Sequence, residues 1–569
     1  MSNAISTLTS PLSPGAGPLF LSPEDMAWVE NTRDAMSVEA QIAQLFVLSA
    51  RHDSIAETDG LLGHAPGGIH RFPTHDLDAA WAATRHAVER SEIPLILSGD
   101  IEGGTVSAPF TTAIPNQMGI AACDDLDLSA DLARIVGQES RALGYNWSFT
   151  PVVDINRAFR NAVVGTRSYG SDPDRILAQA RAYVRALQAQ GVAACAKHWP
   201  GDGLDDRDQH LVTSVNDMDM DEWRATFGRI FGTLVDDGVM TIMSAHIALP
   251  AYIREKMSSA NAQAFEPASV SRLLNQDLLR GELGFDGLIV SDATVMGGLT
   301  CWMARAEAVP AVIEGGCDVF LFSRDPVADM NFMLQGLRDG RLSEQRLHDA
   351  VTRFLMLKAR LGLHRMPPDE RIAPVEQTRA LLRQPAHLDQ AARAAAASIT
   401  LVKDREALIP IAPDRHKRVV LIGDEGASFF SGAPERDFTP LIAGLESQGF
   451  VVRHFDPEAM PTPEDTDLIL YLIGQEATPS LSHIFLDFAK LHASPRNGMI
   501  QFNREIPTLL ISFGQPYYLY DAPNFATYIN AYASLPDVQA ALVERLVGDA
   551  PFTGNSPVDA FCGREQLSW

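Results

Sequence analysis

Short apolar runs that end abruptly on charged or imidazole residues recur along the first two thirds of this chain. Pro94-Leu95-Ile96-Leu97 closes on Asp100 and Glu102, and Val192-Ala193-Ala194-Cys195-Ala196 closes on Lys197 and His198. Val239-Met240-Thr241-Ile242-Met243 leads to His246, Gly287-Leu288-Ile289-Val290 closes on Ser291-Asp292, and Val319-Phe320-Leu321-Phe322 closes on Ser323-Arg324-Asp325. Apolar runs of this length without polar alternation fit strands buried on both faces. Between them, apolar residues recur at helical spacing over 132–143, 176–187, 223–234 and 344–361. Each such segment is long enough to cross back over a parallel sheet. Strand and helix therefore alternate over roughly 340 residues, which fits a (β/α)8 barrel. In that fold the carboxyl ends of the strands share one face, so Asp100, Lys197, His198, His246 and Asp292 are expected to converge although scattered in sequence.

The pattern stops near Leu363, and Pro367-Pro368, Pro374 and Pro385 mark a linker leading into a helix around 388–397. A second alternation follows. Ser398-Ile399-Thr400-Leu401-Val402, Arg418-Val419-Val420-Leu421-Ile422, Leu468-Ile469-Leu470-Tyr471-Leu472 and Thr508-Leu509-Leu510-Ile511-Ser512 read as strands with intervening helices, an α/β/α sandwich. The expected division is a flexible N-terminus over 1–22, a barrel over 23–365, a linker over 366–395 and a sandwich over 396–569. The turn Gly423-Asp424-Glu425-Gly426 lacks the G-x-G-x-x-G spacing and carries acids where a pyrophosphate would sit, so no nucleotide is expected there.

A chain of 569 residues exceeds a single core, in agreement with two domains. The net charge of −26 argues against nucleic acid or an anionic membrane surface as partner. The five cysteines, Cys123, Cys195, Cys301, Cys317 and Cys562, are odd in number and lack metal-ligand spacing, which reads as reduced thiols in a cytoplasmic protein with no bound metal. The first residues lack the basic and apolar regions of a signal peptide, and no window of about 18 apolar residues would span a bilayer.

The richest stretch is Lys197-His198-Trp199-Pro200-Gly201-Asp202-Gly203 followed by Asp208-Gln209-His210. A buried strand ending in Lys-His must release those side chains into a polar cavity or water. Asp208 and His210, two residues apart in a Pro/Gly loop, can reach each other, so the carboxylate would set the imidazole's tautomer and basicity.

These residues resemble the Lys-His-Phe-Pro-Gly-His-Gly and Asp-Ser-His signature of family 3 glycoside hydrolases, in their β-N-acetylglucosaminidase branch. Other segments match in order. Asp100-Ile101-Glu102-Gly103-Gly104 is similar to the family's Asp-Gln-Glu-Gly-Gly. Asp154-Ile155-Asn156 and Arg167-Ser168-Tyr169-Gly170 are similar to its Asp-Val-Asn and Arg-Ser-Phe-Gly. Ala245-His246-Ile247 and Ser291-Asp292-Ala293-Thr294-Val295-Met296 resemble its Ala-His-Ile and Ser-Asp-Asp-Leu-Ser-Met. The trailing sandwich is similar to the second domain of two-domain members.

Carried over residue by residue, the resemblance makes Asp292 the nucleophile, His210 the general acid/base and Asp208 its partner. It assigns Asp100, Arg167, Lys197, His198, His246 and Met296 to the sugar, and Trp199 is the obvious apolar surface for a sugar face. Retaining glycosidases ordinarily use two carboxyls about 5 Å apart; here an imidazole would replace one of them. Asp172 and Asp325 are the weaker nucleophile candidates, and an ion pair with Asp154 or Asp172 is the competing reading of Arg167. Three departures stand out. Thr105 replaces an Arg, Asp202 replaces a His and is expected to add negative charge near the dyad, and Ala293 replaces an Asp.

The resulting expectation is a retaining exo-β-N-acetylhexosaminidase acting, without cofactor, on a small carbohydrate substrate such as a peptidoglycan fragment. Its rivals are a phosphorylase, which the Asp202 charge would oppose, a β-glucosidase drawing its acid from Glu425, Glu435 or Glu476, and a non-catalytic carbohydrate-binding homologue. The sandwich is expected to cover the barrel mouth or complete a homodimer.

Overall fold

The computed structural model describes residues 17–72, 75–103, 108–426 and 436–568. Eight parallel strands form the first domain: β1 Phe46–Ala50, β2 Gly68–Arg71, β3 Ile96–Gly99, β4 Trp147–Ser148, β5 Ala193–Trp199, β6 Thr241–Ser244, β7 Leu288–Ser291 and β8 Phe320–Leu321. They follow one another in order around the sheet, with β8 pairing back onto β1. A bridge between Val290 and Val319 joins β7 to β8 and closes the barrel. Closure leaves no exposed sheet edge. Its interior is filled by strand side chains such as Val47, Ile96, Trp147, Cys195, Met243 and Val290. The helical stretches read from spacing are present as Leu126–Ala142, Pro173–Gln188, Arg229–Asp236 and Glu344–Arg360. Asp and Ser caps start several of them: Asp172 accepts from the Asp174 amide and Asp325 from the Ala328 amide, a role that occupies both weaker nucleophile candidates.

Two boundaries differ from the sequence reading. Of the segment 1–22 expected to be flexible, residues 1–16 lie outside the described residues, while Leu19 is buried among barrel residues and Ser22 caps the helix Pro23–Ala35. The expected linker 366–395 leads, as expected, into a helix, Pro385–Ser398, but it also holds the short helices Pro368–Arg371 and Val375–Leu381. Its prolines sit at or just before helix starts, where a missing N–H costs nothing. Ile372 is buried among Ala87, Val88 and Leu95, and His387 Nδ1 lies 2.8 Å from Glu139 Oε1.

The sandwich sheet runs β9 Thr400–Asp404, β14 Thr527–Asn530, β13 Thr508–Ser512, β12 Leu468–Ile473, β10 Arg418–Gly423, β11 Val451–His454, all parallel except β9 against β14. Successive residues serve opposite cores. Val419, Leu421, Leu468 and Leu470 pack on one face with Leu441 and Leu542, while Val420, Ile422, Ile469 and Tyr471 pack on the other with Phe502 and Phe525. That two-residue period explains why these strands read as unbroken apolar runs.

Candidate active site

The barrel gathers charges at the carboxyl ends of β3, β5, β6 and β7. Lys197, near the end of β5, is 2 % exposed, and its Nζ lies 2.7 Å from Asp100 Oδ1 and 2.7 Å from Glu102 Oε1. Arg167 grips Glu102 through both oxygens, Nε to Oε2 at 2.7 Å and Nη2 to Oε1 at 2.8 Å. The partner of Arg167 is therefore Glu102 rather than Asp154 or Asp172. Burial alone would oppose ionisation of Glu102, but Arg167 and Lys197 outweigh it and hold the carboxyl below its usual range. Lys197 is likewise held charged, because Asp100 and Glu102 overcome its burial. Balanced buried pairs of this kind seldom add stability, since desolvation offsets their attraction. They fix the N–H donors of Lys197 and Arg167 at the mouth of β5.

Asp292 follows β7, is 8 % exposed, and is anchored by its own amide donating to the Ser244 carbonyl at 2.8 Å. Its Oδ1 accepts from the Ala293 amide at 2.7 Å. Burial raises its pKa, yet His198, His246, His210 and the Ala293 amide together bring it below the ordinary value. Asp292 is thus a carboxylate whose ionised form is favoured although it is nearly enclosed.

The loop after β5 supplies the imidazole. Asp208 Oδ1 lies 2.7 Å from His210 Nδ1 and accepts from the His210 amide at 2.7 Å, while Oδ2 accepts from the Ser480 amide at 2.7 Å. The carboxylate side chain is fully buried and the imidazole is 28 % exposed, so Nε2 is the nitrogen left for a reacting group. This loop is tied to the loop after Asp292 by Gly297 donating to the His210 carbonyl at 2.7 Å and Gly298 donating to the Gln209 carbonyl at 3.1 Å. A Cβ on Gly297 would run into the Leu211 backbone and one on Gly298 into Gln209 and His246, so the paired glycines permit the approach.

His198 is oriented by Asp154, with Nδ1 2.6 Å from Oδ2. Two assignments made from sequence are corrected. Trp199 is not a surface for a sugar: it is fully buried, edge-to-face with Trp223 at 5.6 Å and Phe231 at 5.1 Å. The strand register shifts between Ala196 and Trp199, which inverts the alternation and turns the indole toward the helices. His246 does not offer a nitrogen to substrate either. Its Nδ1 lies 2.8 Å from Ser269 Oγ and its Nε2 3.0 Å from the Ala293 carbonyl, so it braces the loop that carries Asp292. Met296 is 6 % exposed and caps the turn Gly297–Thr300 directly behind Asp292.

The expected negative charge at Asp202 is also corrected. It is 3 % exposed beside Asp154, and burial, reinforced by that neighbouring charge, pushes its pKa well above the carboxylate range. The raised pKa disfavours the charge that would repel an anion there. Thr105 and Glu435 lie outside the described residues. Glu476 is buried and accepts from Asn116 Nδ2 at 2.9 Å, and Glu425 is exposed on the sandwich.

Sequence reasoning missed His70, on β2. Its Nδ1 lies 3.1 Å from Ser98 Oγ and its Nε2 3.6 Å from Asp100 Oδ2; burial lowers its pKa to about 4, against the opposing pull of Asp100. No strand-end signal marked it, because Gly68-Ile69-His70 is a short run ending in a buried polar residue.

The family model for the glycosyl hydrolase family 3 N-terminal domain matches residues 37–357. The chain belongs to glycoside hydrolase family 3. Among family 3 relatives, a protein of Cellulomonas fimi named beta-N-acetylglucosaminidase/beta-glucosidase is 39% identical over 96% of this chain and 98% of its own. The solved beta-glucoside phosphorylase BglX bound to 2FGlc is 34% identical, covers 97% of this chain and 99% of its own, and superposes with a TM-score of 0.90. A family 3 beta-N-acetylglucosaminidase from Paenibacillus sp. str. FPU-7 shares the fold, with a TM-score of 0.76 at 24% identity over 92% of this chain and 99% of its own.

Proposed function

We propose that this family 3 member is a retaining exo-β-N-acetylhexosaminidase. Asp292 attacks the anomeric carbon while His210 Nε2 gives its proton to the departing oxygen, leaving a covalent glycosyl-enzyme. His210 then takes a proton from water as that water displaces Asp292. The observation that carries the reading is the meeting of an ionised, nearly enclosed Asp292 with an imidazole held by a buried carboxylate. Lys197, Arg167 and Asp100 would hold the sugar's polar groups. The full-length similarity to the Cellulomonas fimi protein supports the acetamido sugar as substrate. Small glycoconjugates such as peptidoglycan fragments, met in the cytoplasm, suit this reading. Its support is the sandwich loop folded over the barrel mouth and five cysteines that are all free.

A second reading is phosphorolysis, with inorganic phosphate in place of water at the second step. It is favoured by the burial beside Asp154 that raises the pKa of Asp202 and by similarity to a structure named as a phosphorylase. The test is turnover of nitrophenyl β-N-acetylglucosaminide and nitrophenyl β-glucoside by wild type and Asp292→Ala, with and without phosphate. Turnover of the acetamido sugar, abolished in Asp292→Ala and indifferent to phosphate, is the expected result. Phosphate-dependent turnover would select the second reading, preference for the glucoside would replace the acetamido specificity, and turnover retained by the variant would move the nucleophile elsewhere.

A further inference from the structure

Between the two members of the Asp208–His210 pair stands Gln209, whose side chain has no part in the proposed chemistry. It is 1 % exposed, its Oε1 accepts from the His246 amide at 3.1 Å, and its carbonyl accepts from the Gly298 amide at 3.1 Å. Its Nε2 is buried with no hydrogen-bond partner among the described residues. A buried side-chain amide satisfied on one side only costs desolvation that an apolar side chain of equal volume avoids, so filling space does not explain a glutamine here. The bond made by its oxygen does.

That bond is half of a staple. Ser214 donates to the His246 carbonyl at 3.2 Å, so the segment 209–214 engages both backbone groups of His246, and Ser214–Val215 then pairs in parallel with Ile247–Ala248. His246 is itself held, fully buried just beyond β6 with its imidazole between Ser269 Oγ and the Ala293 carbonyl. A continuous line of bonds thus runs from the residue before His210 to the residue after Asp292. Residues 200–213 contain neither helix nor strand, so their loop keeps an imidazole in place only through cross-links of this kind.

We propose that Gln209 is a positioning residue, which through the His246 amide holds His210 Nε2 in line with the oxygen that leaves as Asp292 attacks. This rests on the glycosidase reading. Where the family signature Asp-Ser-His has serine, this chain has Gln209. A serine hydroxyl ends two carbons short of the glutamine oxygen and cannot make the bond to His246 from the same backbone. A general acid displaced by even about 1 Å loses much of its rate advantage, which gives such a strut its value.

The test uses Gln209→Met, which keeps the volume and loses the acceptor, and Gln209→Ser, which restores the signature residue. Hydrogen exchange, followed by mass spectrometry, reads the loop without any turnover. In both variants the amides of 210–214 should exchange roughly tenfold faster than in wild type, and unchanged exchange overturns the proposal. Kinetics then read what the loop positions. In both variants kcat/KM should fall roughly tenfold on N,N′-diacetylchitobiose, whose leaving oxygen needs a proton, and far less on nitrophenyl β-N-acetylglucosaminide, which needs little protonation. A residue with a merely structural role would slow both substrates alike. Equal losses, or none, in the Gln209 variants while His210→Ala separates the two substrates therefore overturn the proposal. Faster exchange in the Gln209 variants, with His210→Ala failing to separate the substrates or with a wild type that turns over neither, would uphold the strut and defeat the glycosidase reading alone.

Discussion

Asp208 can orient His210 because both of its oxygens are engaged, one by the imidazole and its amide, the other by Ser480 of the second domain. If His210 supplies the proton to the leaving group, His210→Ala should lose about 10²-fold or more in kcat on a disaccharide and far less on an activated nitrophenyl glycoside. Equal losses on the two substrates would remove the acid role. Asp202 makes a separate prediction. Its pKa is raised in the fold, so its protonated form contributes stability at low pH that is lost as pH rises through the raised value. Asp202→Asn, which cannot ionise, should therefore gain in melting temperature over wild type as pH climbs from about 4 to about 8. A constant difference across that range would mean that Asp202 ionises normally. Residue types alone showed that Asp208 could reach His210 and that Asp292 ends a strand. They could not show that Trp199 leaves the site, because that follows from a slip in strand register.

At the scale of elements, the barrel strands and helices were legible because buried parallel strands read as apolar runs and helices as a 3.6-residue period. The helix expected around 388–397 is present as Pro385–Ser398, whereas the short helices Pro368–Arg371 and Val375–Leu381 were missed because prolines, which break helices internally, here open them or stand just before them. The helix Glu344–Arg360 hides a group whose state depends on packing. Lys358 is fully buried, lies over the Phe354 ring at 5.0 Å and donates to Gln44 Oε1 at 2.8 Å, and burial lowers its pKa to about 7. Because the unfolded chain holds that proton up to about pH 10.4, wild-type stability should rise between pH 7 and that value. Replacing it by an apolar side chain of similar length, Lys358→Met, should raise the melting temperature most at or below pH 7 and progressively less toward pH 10. A benefit independent of pH would show that the lysine is not titrating in this window.

At the scale of the whole molecule, the sandwich completes the site rather than trailing behind it. Thr478 donates to Ala162 at 2.8 Å, Ala477 to Thr166 Oγ1 at 3.0 Å and Ser480 to Asp208, so the loop leaving β12 lies along the barrel segment that carries Arg167. Asn116 is the complementary tie from the barrel. Its Nδ2 donates to Glu476 Oε2 and to the Tyr532 carbonyl, both at 2.9 Å, while its Oδ1 caps the helix Gln117–Ala122. Asn116→Ala would leave buried acceptors in the sandwich without this donor and should lower stability by about 3 kcal/mol, seen as an earlier first transition on thermal unfolding. An unchanged first transition would show that the two domains are held together elsewhere. Among the described residues no helix is long and apolar enough to cross a membrane.

The sequence by itself determined the two alternating α/β domains, the strand ends where charge collects and the Asp208–His210 spacing, because those depend on local period and chain reach. Only the tertiary structure decided that Glu102 rather than Asp154 pairs with Arg167, that both ring nitrogens of His246 are taken by Ser269 and Ala293, that burial raises the pKa of Asp202, and that a loop some 270 residues downstream holds Asp208. Each of these depends on how deeply a group is buried and on which distant chain segment is packed beside it. Burial and long-range proximity set both hydrogen-bond choice and protonation.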